Sequence, residues 1–455
     1  MEMFSNKSLK KLIIPLVIEQ ILAVAVGMAD TIMVSSVGEA AVSGVSLVDM
    51  INVLIINVFA ALATGGAVVA AQYLGADDRK RACRSANQLL LVTVVISAGI
   101  MGLCLLLQGP ILRLFFGSID QNVMDSALTY FWISALSYPF LAVYNSCAAL
   151  YRSMGNSKVS MVVSVWMNVI NIGGNALCVF VLNMGVAGVA VPSLVSRAVA
   201  AVAMLVLIHH PHNVISIRSY NGMKPDKAMI RRILRIGVPG GLENSLFQLG
   251  RVLVVSIISG FGTVQIAANA VANNLDAFGC IPGQAINLAV ITVVGQCVGA
   301  GDWKQAEYYT KKLIKLTYLV TAVLNIGIIL ALPLLLKLYS VSPEALSLAT
   351  VLVIIHNGCS ILIWPPAFTL PNALRAANDV RFTMWTAIGS MWLFRIGASY
   401  VLGLWLQMGA VGVWIAMIMD WFFRAVLFTW RFFSGRWKQQ KPLIRTAAKP
   451  EGDSV

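Results

Sequence analysis

Residues 72–82 read QYLGADDRKRA and residues 296–306 read QCVGAGDWKQA, so one short stretch occurs twice at an offset of 224 residues. Six of its eleven positions are identical, and these include Gln, Asp and Lys as well as small residues. Pro15 and Glu19 recur at the same offset as Pro239 and Glu243. Apolar composition gives chance matches of Ala or Val, but not of these residue types at one constant offset. The sequence therefore predicts an internal duplication.

The composition is that of a membrane protein. Of the 455 residues, 58% are hydrophobic and 11% are charged, and the mean hydropathy is +0.81. A soluble chain carries about 25% charged residues, so a soluble enzyme, a secreted disulfide domain and a disordered protein are excluded. Apolar runs of spanning length fall at 12–35, 45–73, 87–109, 127–150, 159–183, 186–208, 236–259, 265–294, 312–336, 345–370, 382–406 and 409–433. These runs predict an all-α polytopic membrane protein with twelve transmembrane helices.

The longest polar connection lies near the midpoint of the chain. It predicts an N-terminal six-helix lobe at 1–208, a basic cytoplasmic linker at 209–235, a C-terminal six-helix lobe at 236–433 and a basic cytoplasmic tail at 434–455. Because six is an even number, both halves enter the membrane from the same side. We therefore expect two six-helix bundles related by a pseudo-twofold axis along the membrane normal. By analogy with transporters built in this way, a substrate site is expected between the bundles.

Lys and Arg are distributed unevenly between the two sides of the predicted bundle. With the N-terminus in the cytoplasm, 27 of the 33 basic residues fall on the cytoplasmic side, and only Arg113 and Lys337 fall in external loops. Cytoplasmic loops of membrane proteins collect Lys and Arg. The asymmetry predicts a multi-pass protein of the cell (inner) membrane with both termini in the cytoplasm. It also explains the net charge of +14, because the basic loops lie beside the lipid bilayer, and no nucleic-acid partner is needed to account for them.

Asp30, well inside helix 1, is the leading candidate for a functional residue. A charged side chain near the bilayer centre costs at least about 2.5 kcal/mol on insertion scales, so such residues usually face a cavity, a partner or an ion path. No Lys or Arg lies within one helical turn of Asp30 in the sequence. The residue predicts a site that takes up a proton or a metal cation, and the alternative is an acid near the outer interface that water reaches.

Four further acids lie in predicted spans. Glu19 shares a face of helix 1 with Asp30, and Glu243 is its repeat mate. Both are candidates for a cation path, with hydrogen bonding near a helix start as the alternative. Asp276 and Asp420 are secondary candidates, and Asp420 has a possible partner one turn away in Arg424.

Two spans carry unusual polar or proline-rich segments. Asn168, Asn171 and Asn175 form a stripe along helix 5 that suits either interhelical hydrogen bonding or, through its amide oxygens, a sodium ion. Residues 364–371 of helix 10, WPPAFTLP, contain three prolines and predict a break in the helix, acting as a hinge or as a static kink. Pro192 in helix 6 has a similar pair of interpretations.

Several motifs together resemble the multidrug and toxic compound extrusion (MATE) transporters. They are DTIMV at 30–34, the turn at 72–78, LYRSMGN at 150–156 and GVAGVA at 185–190. Their order, the twelve spans and the duplication extend the resemblance over nearly the whole chain.

The resemblance implies a secondary active antiporter that exports bulky, often cationic organic compounds in exchange for H⁺ or Na⁺. It places the cation-coupling site at Asp30, Asn171, Asn175 and Ser193, with Glu243 similar in kind to a helix 7 acid used in some branches. A second helix 5 acid is usual in the family, and this chain has Asn175 there. A sodium ion is implied at Asp30, Asn171 and Asn175, with no structural metal and no cofactor besides the coupling ion.

Other functions receive less support from the residues. No Gly-Lys dipeptide occurs, so a Walker A loop is absent and an ion gradient is the expected energy source. A lipid-linked oligosaccharide flippase is the main alternative, and it needs several arginines around one cavity. Four lie inside spans: Arg197, Arg251, Arg395 and Arg424. Missing catalytic motifs argue against an enzyme, and we expect a monomer that binds a small organic substrate.

Overall fold

The computed structural model describes residues 3–117, 120–217 and 224–440. In these ranges twelve helices are long and apolar enough to cross a membrane, which confirms the predicted fold class. They are α1 Asn6–Ser35, α2 Glu39–Gly75, α3 Arg79–Phe116, α4 Gln121–Ser153, α5 Ser157–Val181, α6 Ala187–Ile208, α7 Lys227–Ser259, α8 Thr263–Gly299, α9 Trp303–Leu336, α10 Pro343–Ala376, α11 Val380–Trp405 and α12 Gly409–Phe433. Several helices extend beyond the apolar runs, because polar residues at the helix ends continue the helix, as in α3, which begins at Arg79.

The turns between helices repeat from one half of the chain to the other. Left-handed backbone occurs at pairs of repeat mates: Gly38 and Gly262, Asp77 and Gly301, Asn183 and Gln407, Gly185 and Gly409. Asp78 and Asp302 cap α3 and α9 identically, since each carboxylate accepts a hydrogen bond from the backbone N–H three residues ahead. The duplication read from the sequence is therefore also a duplication of backbone geometry.

The two halves differ by one residue in their fifth helices. Gly155 and Asn378 both have positive φ, but their offset is one residue shorter than that of the pairs around them. A π-helical turn accommodates such an extra residue. The π segment Tyr400–Trp405 of α11 corresponds to Leu177–Val181 of α5, whereas Met391–Ala398 has no counterpart in α5. The additional π segment is the place where the second lobe departs from the first.

The proline cluster of α10 does not break the helix, so that prediction was wrong. Residues Pro365–Thr369 form a π segment that continues directly into Leu370–Ala376. Proline lacks the N–H that an α-helix requires, and the wider π turn allows the chain to continue despite that loss. Whether the segment acts as a hinge stays a prediction.

Helices α2 and α8 hold the two lobes together at their C-terminal ends. α2 packs against α7 and α8 of the other lobe, and α8 packs against α1 and α2. A Cβ atom at Gly75 would lie 1.9 Å from the carbonyl oxygen of Gln296, and one at Gly299 would lie 1.9 Å from the carbonyl oxygen of Gln72. The backbones meet at these two glycines, and the contact has the pseudo-twofold symmetry of the repeat.

Two glutamine side chains extend this contact across the lobes. Gln72 Nε2 donates to the carbonyl oxygen of Ala376 over 2.8 Å and to Asn378 Oδ1 over 2.9 Å. Its repeat mate Gln296 donates to the carbonyl oxygen of Ser153 over 2.7 Å. Each lobe therefore satisfies a carbonyl group at the end of a helix in the other lobe, on the face predicted to be cytoplasmic.

We expect Asp302→Ala to destabilise the protein by about 1 kcal/mol at pH 7 through loss of the α9 cap. The Gln305 backbone N–H that donates to Asp302 holds the pKa of its carboxyl below the usual value. A lowered folded pKa contributes stability above the unfolded value of about 4, and this contribution is lost as the pH falls through the folded value. Thermal unfolding of the purified protein at pH 7 and at lower pH measures the difference.

Asp120→Ala is the matched control for this prediction. Asp120 occupies the same capping position on α4, but its side chain makes no cap hydrogen bond. Equal loss of stability in the two variants would contradict the role assigned to Asp302.

Candidate functional site

The four N-lobe residues predicted to bind a cation form one continuous hydrogen-bonded chain. Asn175 Nδ2 on α5 donates to Asp30 Oδ1 on α1 over 2.6 Å and lies 3.3 Å from Asn171 Oδ1. Asn171 Nδ2 donates to Ser193 Oγ on α6 over 2.9 Å, and Ser193 donates to the carbonyl oxygen of Val189 over 3.0 Å. Because Asn171 and Asn175 are one helical turn apart, both amides lie on the same face of α5, where Asn175 meets α1 and Asn171 meets α6. The sequence spacing therefore brings three helices to one polar cluster.

Asp30 has no basic partner in direct contact. Among the described residues, no Lys, Arg or His lies within ion-pair distance of its carboxylate, and Asn175 is its hydrogen-bond donor. Arg197 on α6 acts on Asp30 electrostatically, while its guanidinium donates to Ser137 Oγ over 2.7 Å. An amide donor offsets only part of the cost of a carboxylate in a membrane. The carboxylate is thus left able to gain a proton or a monovalent cation.

Asp49 on α2 is a second acid at this site, and the sequence analysis missed it. Tyr130 Oη donates to Asp49 Oδ1 over 3.2 Å, and Asn52 Nδ2 donates to the same oxygen over 3.1 Å. Asp49 and Asp30 interact electrostatically, and Arg197 acts on both. Asp49 falls near the start of the apolar run at 45–73, and the sequence analysis gave it no role. Since α2 begins at Glu39, Asp49 lies almost three turns inside it.

The amide oxygen of Asn175 is a buried acceptor without a partner in the structure. Asn175 is fully buried, and its Nδ2 serves both Asp30 and Asn171. A buried acceptor left unsatisfied costs about 1–3 kcal/mol. A carbonyl oxygen next to a carboxylate is a suitable ligand for a hard cation, and it also accepts a hydrogen bond from a protonated carboxyl. The unpaired oxygen therefore supports a cation-binding role for the cluster.

Glu19 and Glu243 lie in equivalent ion pairs at the other end of the helices. Arg152 Nη1 lies 3.8 Å from Glu19 Oε1, and Arg375 Nη2 lies 2.5 Å from Glu243 Oε1. Tyr144 donates to the Glu19 carboxylate over 3.4 Å. Each glutamate therefore joins the first and fourth helices of its own lobe. With arginine partners, their charges are compensated, and neither contacts the Asp30 cluster. Their part in cation coupling stays a prediction.

The secondary candidates Asp276 and Asp420 are also paired, both within the C lobe. His356 Nδ1 lies 2.8 Å from Asp276 Oδ1. Arg424 Nε donates to Asp420 Oδ1 over 2.8 Å, as the sequence spacing suggested, and Ser390 donates to the same oxygen. The structure therefore brings together Asp30, Asn171, Asn175 and Ser193, and places Glu19, Glu243, Asp276 and Asp420 elsewhere.

Comparison with known proteins matches both halves of the chain. The MatE family model matches residues 15–177 and, again, residues 239–401. An uncharacterized transporter of Bacillus subtilis (strain 168), YisQ, is 28% identical over 95% of each chain. A probable multidrug resistance protein of Thermotoga maritima, NorM, is 27% identical over 98% of this chain and 96% of its own length.

Solved structures share the fold at lower identity. An outward-facing multidrug resistance MATE family transporter of the MOP superfamily superposes with a TM-score of 0.89 at 20% identity, over 95% of this chain and 97% of its own. A MOP superfamily transporter from Pyrococcus furiosus gives the same TM-score and identity over 96% and 97%. The two matched segments together cover more than half of the residues. The chain therefore belongs to the MatE family of membrane transporters.

Proposed function

We propose that this transporter is a secondary active antiporter, exporting bulky organic compounds, often cationic, in exchange for H⁺ or Na⁺. The observation that carries the proposal is the Asp30 carboxylate, held inside the membrane by the Asn175 amide without a basic partner in contact. The names of the multidrug resistance relatives support the class of substrate. The charge asymmetry of the loops supports a position in the cell membrane with both termini in the cytoplasm.

The charges around Asp30 favour binding of one positive charge at a time. Asp30 and Asp49 carry two negative charges, and Arg197 carries one positive charge that acts on both. One proton, one sodium ion or one cationic group of a substrate makes the cluster neutral. Competition between the coupling ion and a cationic substrate for this charge is the simplest basis of exchange.

Coupling to movement follows from the helices that the cluster joins. Asp30 on α1, Asn175 on α5 and Ser193 on α6 belong to one chain of hydrogen bonds. A cation bound at Asp30 neutralises the carboxylate that the Asn175 amide alone stabilises in this structure. The free and the cation-bound states therefore favour different packing of α1 against α5. A ligand shifts such an equilibrium only by its difference in affinity for the two states.

Gradients imposed one at a time on proteoliposomes test the antiport. A fluorescent organic cation is loaded inside, and its efflux is followed with a pH gradient alone, a sodium gradient alone, and neither. We expect one gradient to accelerate efflux at least tenfold, and ionophores that dissipate that gradient to remove the effect. Efflux that responds to neither gradient would contradict the antiport.

The flippase alternative has weaker support. A lipid-linked diphosphate needs several free arginines at one cavity. Of the four arginines inside spans, only Arg251 and Arg395 line a common cavity, of about 40 Å³, while Arg424 is held by Asp420 and Arg197 lies in the other lobe beside two acids. Export of a soluble fluorescent cation without any lipid-linked substrate would exclude the flippase as the sole function. We also propose that the protein is a monomer. Light scattering of the purified protein measures its molar mass and tests this.

A further inference from the structure

The duplication places a second cavity in the C lobe where the cation site lies in the N lobe. At the repeat offset, Asn171 and Ser193 correspond to Arg395 and Met417. Arg395 Nη2 lies 3.1 Å from Met417 Sδ, just as Asn171 Nδ2 donates to Ser193 Oγ. The contact between the fifth and sixth helices of each lobe is therefore equivalent.

The acids of the N-lobe site are absent from this second cavity. The repeat mates of Asp30 and Asp49 are Val254 and Asn273, and both line it. Arg395 takes the position of an asparagine and lies in the π segment Met391–Ala398, the one that the N lobe lacks. Local insertions of this kind are frequent at functional sites. The same framework thus presents the opposite charge in the second lobe.

Several hydrogen-bond donors at the cavity have no acceptor in the structure. Arg395 is 8% exposed, yet its Nε and Nη1 atoms have no hydrogen-bond partner in the structure. Trp414 Nε1 donates to Asn269 Oδ1 over 2.9 Å, which fixes the amide and leaves Asn269 Nδ2 as a further donor. Arg251 also lines the cavity, is exposed, and has no ion pair within the described part of the chain.

The acids of the C lobe leave positive charge at the cavity. Asp420 Oδ1 is taken by Arg424, and its Oδ2 lies 3.9 Å from Arg395 Nη1, beyond hydrogen-bonding distance. Asp276 Oδ1 lies 2.8 Å from His356 Nδ1, and its negative charge also acts on Arg395. Three arginines, Arg251, Arg395 and Arg424, therefore face two carboxylates, Asp276 and Asp420, and one guanidinium stays uncompensated. A buried charge of this kind requires an anionic partner.

We propose that this cavity binds a carboxylate group of the transported organic substrate. Its volume is about 40 Å³, and since about 10–15 Å³ on this measure holds a water molecule, it accepts a carboxylate but not a whole organic molecule. The rest of the ligand extends past Arg251, the exposed side of the cavity. Guanidinium groups suit the planar geometry of a carboxylate. Only the identification of the ligand as transported cargo rests on the proposed export function.

Binding of 1-pyrenebutyrate to the purified protein in nanodiscs tests the proposal without any gradient. We expect the wild-type protein to bind it at least tenfold more tightly than Arg395→Gln does. The methyl ester of the same probe should bind both proteins equally. Arg113→Gln is the matched control, because Arg113 is an exposed arginine of α3 on the other lobe. Equal affinity of wild type and Arg395→Gln for the carboxylate would overturn the proposal.

Two further measurements keep the test decisive. Arg251→Gln removes a charge without leaving a buried group unpaired, so it is expected to fold and to weaken binding even if Arg395→Gln does not fold. Sodium chloride is titrated against the bound probe in a buffer free of chloride and of carboxylates, in which micromolar additions leave the ionic strength unchanged. Displacement by chloride at micromolar concentration would assign the cavity to an inorganic anion and overturn the substrate assignment. A protein that binds the carboxylate but shows no gradient-driven efflux would refute the antiport and leave this site standing.

Discussion

Asp30→Asn is expected to reduce ion-driven efflux at least tenfold. The amide has the size of the carboxyl and still accepts the hydrogen bond from Asn175, so the helix packing is preserved. The substitution removes the charge, and neither a proton nor a sodium ion then changes the charge of the residue. Efflux from proteoliposomes with each gradient imposed separately measures the loss, and facilitated movement of substrate down its own gradient should persist.

Two controls make the Asp30 result specific. Asp125→Asn alters an acid on α4 that is exposed and bonded to Gln121, so transport should equal that of the wild type. Asp49→Asn removes the same charge from the same site but leaves Asp30 intact, and we expect coupling to survive with a changed pH or sodium dependence. Wild-type coupling in Asp30→Asn would remove this residue from the mechanism.

Gly75→Ala is expected to reduce transport at least tenfold and to destabilise the closed contact between the lobes. The new Cβ would lie 1.9 Å from the carbonyl oxygen of Gln296, and a backbone atom cannot move aside as a flexible side chain can. Overpacking of this kind typically costs about 1–3 kcal/mol. Transport assays and distance measurements between spin labels on α2 and α8 follow the two effects, and the labels should move apart.

A glycine in an open position provides the comparison. A Cβ atom at Gly102 on α3 would meet no atom within 4 Å, so Gly102→Ala should match the wild type or stabilise the helix by up to about 1 kcal/mol. Gly299→Ala should behave like Gly75→Ala, since its Cβ would meet Gln72 at the same distance. Equal transport in Gly75→Ala and Gly102→Ala would show that the close backbone contact is not required.

The sequence allowed the helices and the duplication to be predicted because both depend on local patterns. Apolar runs set the number of spans, and a constant offset of polar residues revealed the repeat. Asp30 was recognisable as an acid with no Lys or Arg within one helical turn, the polar stripe of helix 5 indicated Asn171 and Asn175, and the family resemblance added Ser193. These features need no knowledge of which helices are neighbours.

Other features depend on contacts between distant parts of the chain and could not be predicted. The ion pair between Glu243 and Arg375 joins residues far apart in sequence, so the glutamate looked uncompensated. The role of Asp49 depends on its electrostatic interaction with Asp30 and Arg197, which lie on other helices. The orientation of Arg395 depends on one extra residue in a π segment, and no hydropathy pattern reports such an insertion.

The reciprocal glutamines have a consequence for leakage. Gln72 and Gln296 lose their partners in the same movement, since each bonds to the lobe that the other belongs to. A partial separation of the lobes breaks the hydrogen bonds of both glutamines together. A partly opened intermediate is therefore high in free energy and short-lived. For an antiporter of the kind proposed above, a contact that opens in one step limits leakage of the gradient that would drive export.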